Sequence, residues 1–265
     1  MSDVVAHVER AFVTDLDSTT EVAKRRSLGF RTDRGTWVRI EVKDVARLHG
    51  QSWGVEAAAR LTGVAMPAWH QGISWLDHDR QVMWRADEMD YISDPPIKAG
   101  GTLTVEPRLS DQWWATFNAS LDALGAHTTT RTATLSGETV TQLRLAGTIH
   151  RVFPDVHATI NEWTVAHADL GWANLTAPTC YFLDWEDWGT APRGWDAAML
   201  WSQSLAVPAL AERVATERTA DLASRSGKLT QLFHCAGLIA AGAGYAGQLF
   251  EPVQAAAARL LIDLR

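Results

Sequence analysis

An α+β chain in two lobes is what the sequence predicts, the first lobe strand-rich and the second helical. Two observations carry the prediction. Apolar and polar residues alternate before Lys43, while the clearest helical spacings all follow Leu109. The length of 265 residues suits one large domain or two lobes.

The elements follow in order. Leu16 to Thr20 reads as a loop leading into an extended segment, Thr20 to Phe30. Asp33-Arg34-Gly35 supplies a turn. From Gly35 to Val42, Val38, Ile40 and Val42 share one face while Trp37, Arg39 and Glu41 share the other. Ser52 to Leu61 has high helix propensity, with Ser52 as its N-cap. Trp69, Ile73 and Trp75, a charged turn from Asp77 to Arg80, and Val82-Met83-Trp84 read as a hairpin. Turn formers fill Asp94 to Gly101, so the lobes are placed at residues 1–92 and 93–265. Beyond them, Asp111 to Leu124 and Glu138 to Phe153 are predicted helices. Pro252 marks the first turn of a last helix, and Val253, Ala256, Ala257, Leu260, Leu261 and Leu264 follow at helical spacing.

Composition excludes several function classes. With 46% hydrophobic and 21% charged residues, the chain is not disordered. A formal charge of −7 argues against a protein that coats nucleic acid or an anionic membrane. Cys180 and Cys235 alone make no disulfide framework, and MSDVVAHVER lacks the apolar run of a secretory signal. A reducing, cytoplasmic setting is therefore expected. The apolar stretch from Cys235 to Leu249 is too short and glycine-rich to span a bilayer. Gly242 to Gly247 satisfies G-x-G-x-x-G, but the segment before it has helical spacing, so close helix packing is the better reading. There are 13 tryptophans against 3 tyrosines.

The chemistry concentrates between residues 160 and 200, where Glu162, Asp169, Asp184, Glu186, Asp187 and Asp196 face one basic residue, Arg193. His167, Asp169 and Asn174 stand at H-x-D-x-x-x-x-N spacing, and the apolar run Cys180 to Leu183 then delivers Asp184. Asn174 and Asp184 sit at the two ends of a loop and hairpin. They can converge on a hard cation such as Mg²⁺, which prefers oxygen ligands and keeps part of its shell for phosphates. Asp169 is spaced to accept a hydroxyl proton. Phosphoryl transfer needs such a set.

The block HADLGWANL…FLDWEDWGTAPRGWDAA resembles the catalytic segment of the aminoglycoside phosphotransferase / choline kinase-like family, relatives of the protein kinases. The resemblance implies a two-lobed protein-kinase-like fold and an ATP- or GTP-dependent, Mg²⁺-dependent transfer of phosphate to a small-molecule hydroxyl. It makes Asp169 the catalytic aspartate and Asn174 and Asp184 the metal ligands. His167 would orient the loop, and Asp196 would hold it by hydrogen bonds. Glu56 resembles the glutamate that pairs with a strand-three lysine. That lysine is missing; Arg39 occupies its register, with Lys24 and Lys43 as alternatives. No glycine-rich loop is present, which leaves Ser18, Thr19 and Thr20 to cover the phosphates, and Met83 to Asp87 falls at the inter-lobe hinge. The acidity of the segment suits a cationic or natural-product-like acceptor. Five tryptophans, Trp163, Trp172, Trp185, Trp188 and Trp195, are expected to clamp the segment, with Trp172 and Trp188 lining the acceptor cleft. The departures leave two alternatives: a pseudokinase that binds nucleotide or a partner without transfer, and an enzyme acting on a peptide hydroxyl in a biosynthetic pathway. Oligomeric state is not legible.

Overall fold

The alternation around Val38 and Ile40 becomes a central strand in the computed structural model, which describes residues 1–24, 26–48, 51 and 53–265. The chain divides into two units, Met1–Arg60 with Met66–Ser93, and Leu61–Ala65 with Asp94–Arg265. The first contains α1 (Ser2–Phe12), β1 (Leu16–Ala23), β2 (Ser27–Thr32), β3 (Thr36–Asp44), a short α2 (Gly54–Ala58), β4 (Trp69–Asp77) and β5 (Val82–Asp90). The strands form one antiparallel sheet in the order β1-β2-β3-β5-β4. Val4, Val8 and Phe12 of α1 recur every fourth residue, and they cover Phe30, Val38, Ile40, Trp84 and Ala86 on one sheet face.

Three expectations for this unit are corrected. Leu16 to Thr20 is the first half of β1 rather than a loop. The extended segment from Thr20 to Phe30 is broken by a turn in which the Lys24 N–H bonds the Ser27 carbonyl, so it belongs to two strands. Ser2–Phe12 forms a helix where none was expected. The proposed N-cap, Ser52, lies outside the described residues.

The second unit contains α3 (Asp111–Ala126), β6 (Thr134–Leu135), β7 (Glu138–Thr139), α4 (Gln142–His150), β8 (Trp163–Ala166), β9 (Gly189–Pro192), α5 (Trp195–Ser204), α6 (Pro208–Glu217), α7 (Thr219–Leu222), α8 (Arg225–Ala241), α9 (Ala243–Ala246) and α10 (Phe250–Asp263). Ser110 caps α3 by accepting from Trp113 N–H. The helix expected from Glu138 to Phe153 is shorter. Glu138 and Thr139 pair in a hairpin, and Thr141 caps α4 through Arg144 N–H. Leu145, Ile149, Trp195, Leu229, Leu232, Val253 and Leu260 build the core. Residues Leu61–Ala65 belong here because Ala65 N–H bonds Ser120 Oγ while the Ala65 carbonyl accepts from Phe182 N–H. No helix among the described residues is long and apolar enough to cross a membrane.

Candidate active site

In the second unit β8 runs into the segment His167 to Asn174, and β9 into α5 brings up Asp196. Asp196 is buried, and its two carboxylate oxygens accept from the backbone N–H groups of His167 and Ala168, each at 2.8 Å. Trp195 Nε1–H donates to the Ala168 carbonyl at 3.1 Å. These three bonds fix Ala168 at φ 73°, a left-handed conformation costly for a residue with a Cβ. Burial pushes the Asp196 carboxyl up to about 6, against the pull of the two N–H donors.

His167 ties the two halves of the motif together. Its Nε2–H donates to the Leu183 carbonyl at 2.9 Å, and its Nδ1 accepts from Asp169 N–H at 3.3 Å. That pattern requires the neutral ring, and burial holds its pKa down to about 4. Leu183 N–H in turn bonds the Asn174 carbonyl at 2.8 Å, which sets Asp184 beside Asn174 at the end of a short hairpin. Asp184 itself has φ 66°, the second strained non-glycine position in the motif.

Asn174 Nδ2 donates to the Asp169 carbonyl at 2.7 Å and to Asp169 Oδ2 at 3.0 Å. Both partners are acceptors, so the amide nitrogen is committed and the amide oxygen remains as a ligand atom. The Asp169 carboxyl is pushed up to about 6, first by burial and then by the Asp184 and Asp187 carboxylates. Clustered negative charge and two hard oxygen donors fit a small divalent cation. Among the described residues no three His, Cys, Asp or Glu side chains gather into a metal cage.

The expected tryptophan clamp is only partly a cleft lining. Trp185 stands edge-on to His167 with centroids 4.6 Å apart, and Trp172 stacks near Trp113 while its Nε1–H bonds Ser204 Oγ. Trp172 borders a cavity beside Asp169, but Trp188 is fully buried under the Arg131 guanidinium and does not line that cavity. Arg131 also donates to the Trp188 and Glu186 carbonyls, so it pins the turn after Asp184. Sequence reading passed over it.

In the first unit, Arg39 lies on β3 opposite Asp87 of β5, on the sheet face that also carries Glu41 and Lys43. Glu56 of α2 pairs with Arg85 of β5 at 3.0 Å. Arg85 is only 5% exposed, and its Nε–H also donates to Asp87 Oδ2 at 2.9 Å. A Cβ at Gly72 would fall 2.2 Å from Arg85 Nη2, so glycine there makes room for the guanidinium. The signal was the period-two pattern that puts Arg85 and Asp87 on one strand face. Ser18 and Thr19 lie within β1, where Asp17 Oδ1 accepts from the Thr19 N–H and hydroxyl. Met83 lies near the start of β5, paired with Lys43 and Leu76, whereas the chain leaves this unit after Ser93. It is not at the inter-unit connection.

No protein-family model matches the chain, and no curated protein matches it in sequence. Solved structures do. The chain is similar to an amicoumacin kinase solved with AMP-PNP and Ca²⁺, at 10% identity and TM-score 0.59, covering 96% of this chain and 93% of that one. It is similar to an aminoglycoside phosphotransferase at 12% identity and TM-score 0.59, covering 100% and 98%. A spectinomycin phosphotransferase solved with ADP and spectinomycin gives 12% identity and TM-score 0.56, covering 99% and 92%. The chain has the protein-kinase-like α+β fold of these proteins.

Proposed function

We propose that the chain is an ATP- or GTP-dependent phosphotransferase acting on a small-molecule hydroxyl. The observation that carries this reading is the Asp169–Asn174 contact, locked beside Asp184 by His167 and held from below by Asp196. Asp169 is the proposed proton acceptor. The acceptor oxygen attacks the γ-phosphorus of the nucleoside triphosphate, and its proton passes to the Asp169 carboxylate. The bond from γ-phosphorus to the bridging oxygen breaks, and the electron pair leaves on the diphosphate. Asn174 and Asp184 would hold Mg²⁺, which when bound neutralises phosphate charge. His167 keeps the loop and the metal-bearing hairpin in register. Arg39, with Glu56 ordered by Arg85, is the proposed phosphate-facing group of the first unit. Ser18 and Thr19 are the proposed nucleotide contacts, and Met83, away from the inter-unit connection, is not retained as one. The proposed location is cytoplasmic, a reading supported by the two lone cysteines.

The pseudokinase reading has one observation in its favour: an arginine, not a lysine, engages Glu56. One experiment separates the two readings. Melting temperature is followed with ATP or GTP, with and without Mg²⁺, and turnover is then measured on a panel of hydroxyl acceptors. Nucleotide binding with turnover supports the enzyme. Binding alone favours the pseudokinase, and no shift with either nucleotide refutes the enzyme and leaves a pseudokinase that binds a partner.

A further inference from the structure

A cavity of about 300 Å³ lies beside Asp169 and Asn174, wholly within the second unit. Ligand pockets run from ~300 to ~1,000 Å³, so this one suits a small molecule. Lys98, Thr102, Gln203 and the Gly100–Gly101 turn make up much of the remaining lining. Among the described residues, Asp169 and Lys98 are its only ionisable lining groups. Backbone bonds fix where the lysine stands. Lys98 N–H donates to the Trp172 carbonyl at 3.1 Å, and Ile97 N–H to the Leu175 carbonyl at 2.8 Å. Trp172 follows Asp169 by three positions, and both Lys98 and Asp169 line the cavity. Lys98 is exposed, with no ion-pair partner among the described residues.

We infer that the acceptor is a small hydroxylated molecule bearing one anionic group, a carboxylate or a phosphate, which Lys98 holds while the hydroxyl faces Asp169. This rests on the phosphotransfer reading and names its substrate class. An ammonium group on the acceptor would meet the Lys98 charge, whereas an anion gains a charge-assisted hydrogen bond. Thr102 and Gln203 supply neutral donors and acceptors for further hydroxyls. Of the acidity between residues 160 and 200 on which a cationic acceptor was expected, Glu186 and Asp187 do not line this cavity. Their turn is held by Arg131 and Thr134.

Gluconate, glucose and glucosamine are close in size and differ in charge. Binding to the full chain, followed by ligand-observed NMR without nucleotide, is expected to favour gluconate over glucosamine by about tenfold. Lys98→Gln should remove most of that preference and Lys98→Glu should invert it, with melting temperatures unchanged because the side chain is exposed. Equal binding of the three probes, no binding of gluconate, or a preference that survives Lys98→Glu overturns the inference. A Lys98→Glu effect confined to nucleotide affinity overturns it too. Anion preference without turnover of any acceptor in the wider hydroxyl panel supports the anion subsite and counts against phosphotransfer. Faster turnover of glucosamine than of gluconate does the reverse.

Discussion

Asp169 holds two roles in tension, since burial and neighbouring carboxylates favour its protonated form while proton acceptance needs the ionised one. Turnover should climb as pH rises through about 6 and level off above it. A rate that falls across that window would remove Asp169 as the acceptor. Asp169→Asn is expected to keep nucleotide binding while transfer drops by about 10²–10⁴-fold, read by comparing melting shifts with product formation. The same raised pKa has a stability sign. A carboxyl whose folded value lies above the unfolded 3.8 contributes stability that is fully present below that value and lost as pH rises through about 6. At neutral pH the site thus carries an electrostatic cost that a divalent cation offsets. Mg²⁺ should raise the melting temperature more at about pH 7.5 than at about pH 5. Equal shifts at both would sink the metal assignment. His167 acts in the other direction: its depressed pKa gives stability present above 6.5 and lost as pH falls towards about 4.

Among the elements, the segment from His167 to Asn174 depends on α5 for its shape. Asp196→Ala removes two charge-assisted bonds from a buried strained turn and should cost about 3 kcal/mol, measured by denaturant unfolding. Turnover should fall more than nucleotide affinity. Arg85→Met leaves the Asp87 carboxylate buried without its guanidinium, and about 3 kcal/mol is expected to be lost. Wild-type stability in that variant would show the pair to be dispensable. These elements were unequally legible. The H-x-D-x-x-x-x-N segment and the Asp184 hairpin could be read because catalytic spacing is local in sequence. Strand β1 was misread because it is an edge strand with nearly every residue exposed, so Asp17 to Thr20 carry no alternation. Helix α1 was passed over although Val4, Val8 and Phe12 are spaced for it; the polar residues between them diluted the signal. The pairing of Arg85 with Glu56 on α2, far from it in sequence, and the backbone bond from Lys98 to Trp172 are long-range links that spacing does not show.

For the whole molecule, the prediction of a strand-rich part followed by a helical part needed only periodicity, and the fold likeness at 10–12% identity agrees with it. Periodicity could not reveal that five residues between α2 and β4 would leave one unit for the other. The path therefore passes between the units three times, at Arg60–Leu61, Ala65–Met66 and Ser93–Asp94. Ala65 is bonded on both sides, to Ser120 and to Phe182, which itself precedes Asp184 by two positions. Dissection is the consequence. A cut among the turn formers from Asp94 to Gly101 would sever one passage and leave a stitched-in loop behind, so the two fragments should copurify until they are unfolded. The strand-rich unit is not a module that can be lifted out at one boundary; its chain is sewn into the unit that carries Asp169 and Asp184.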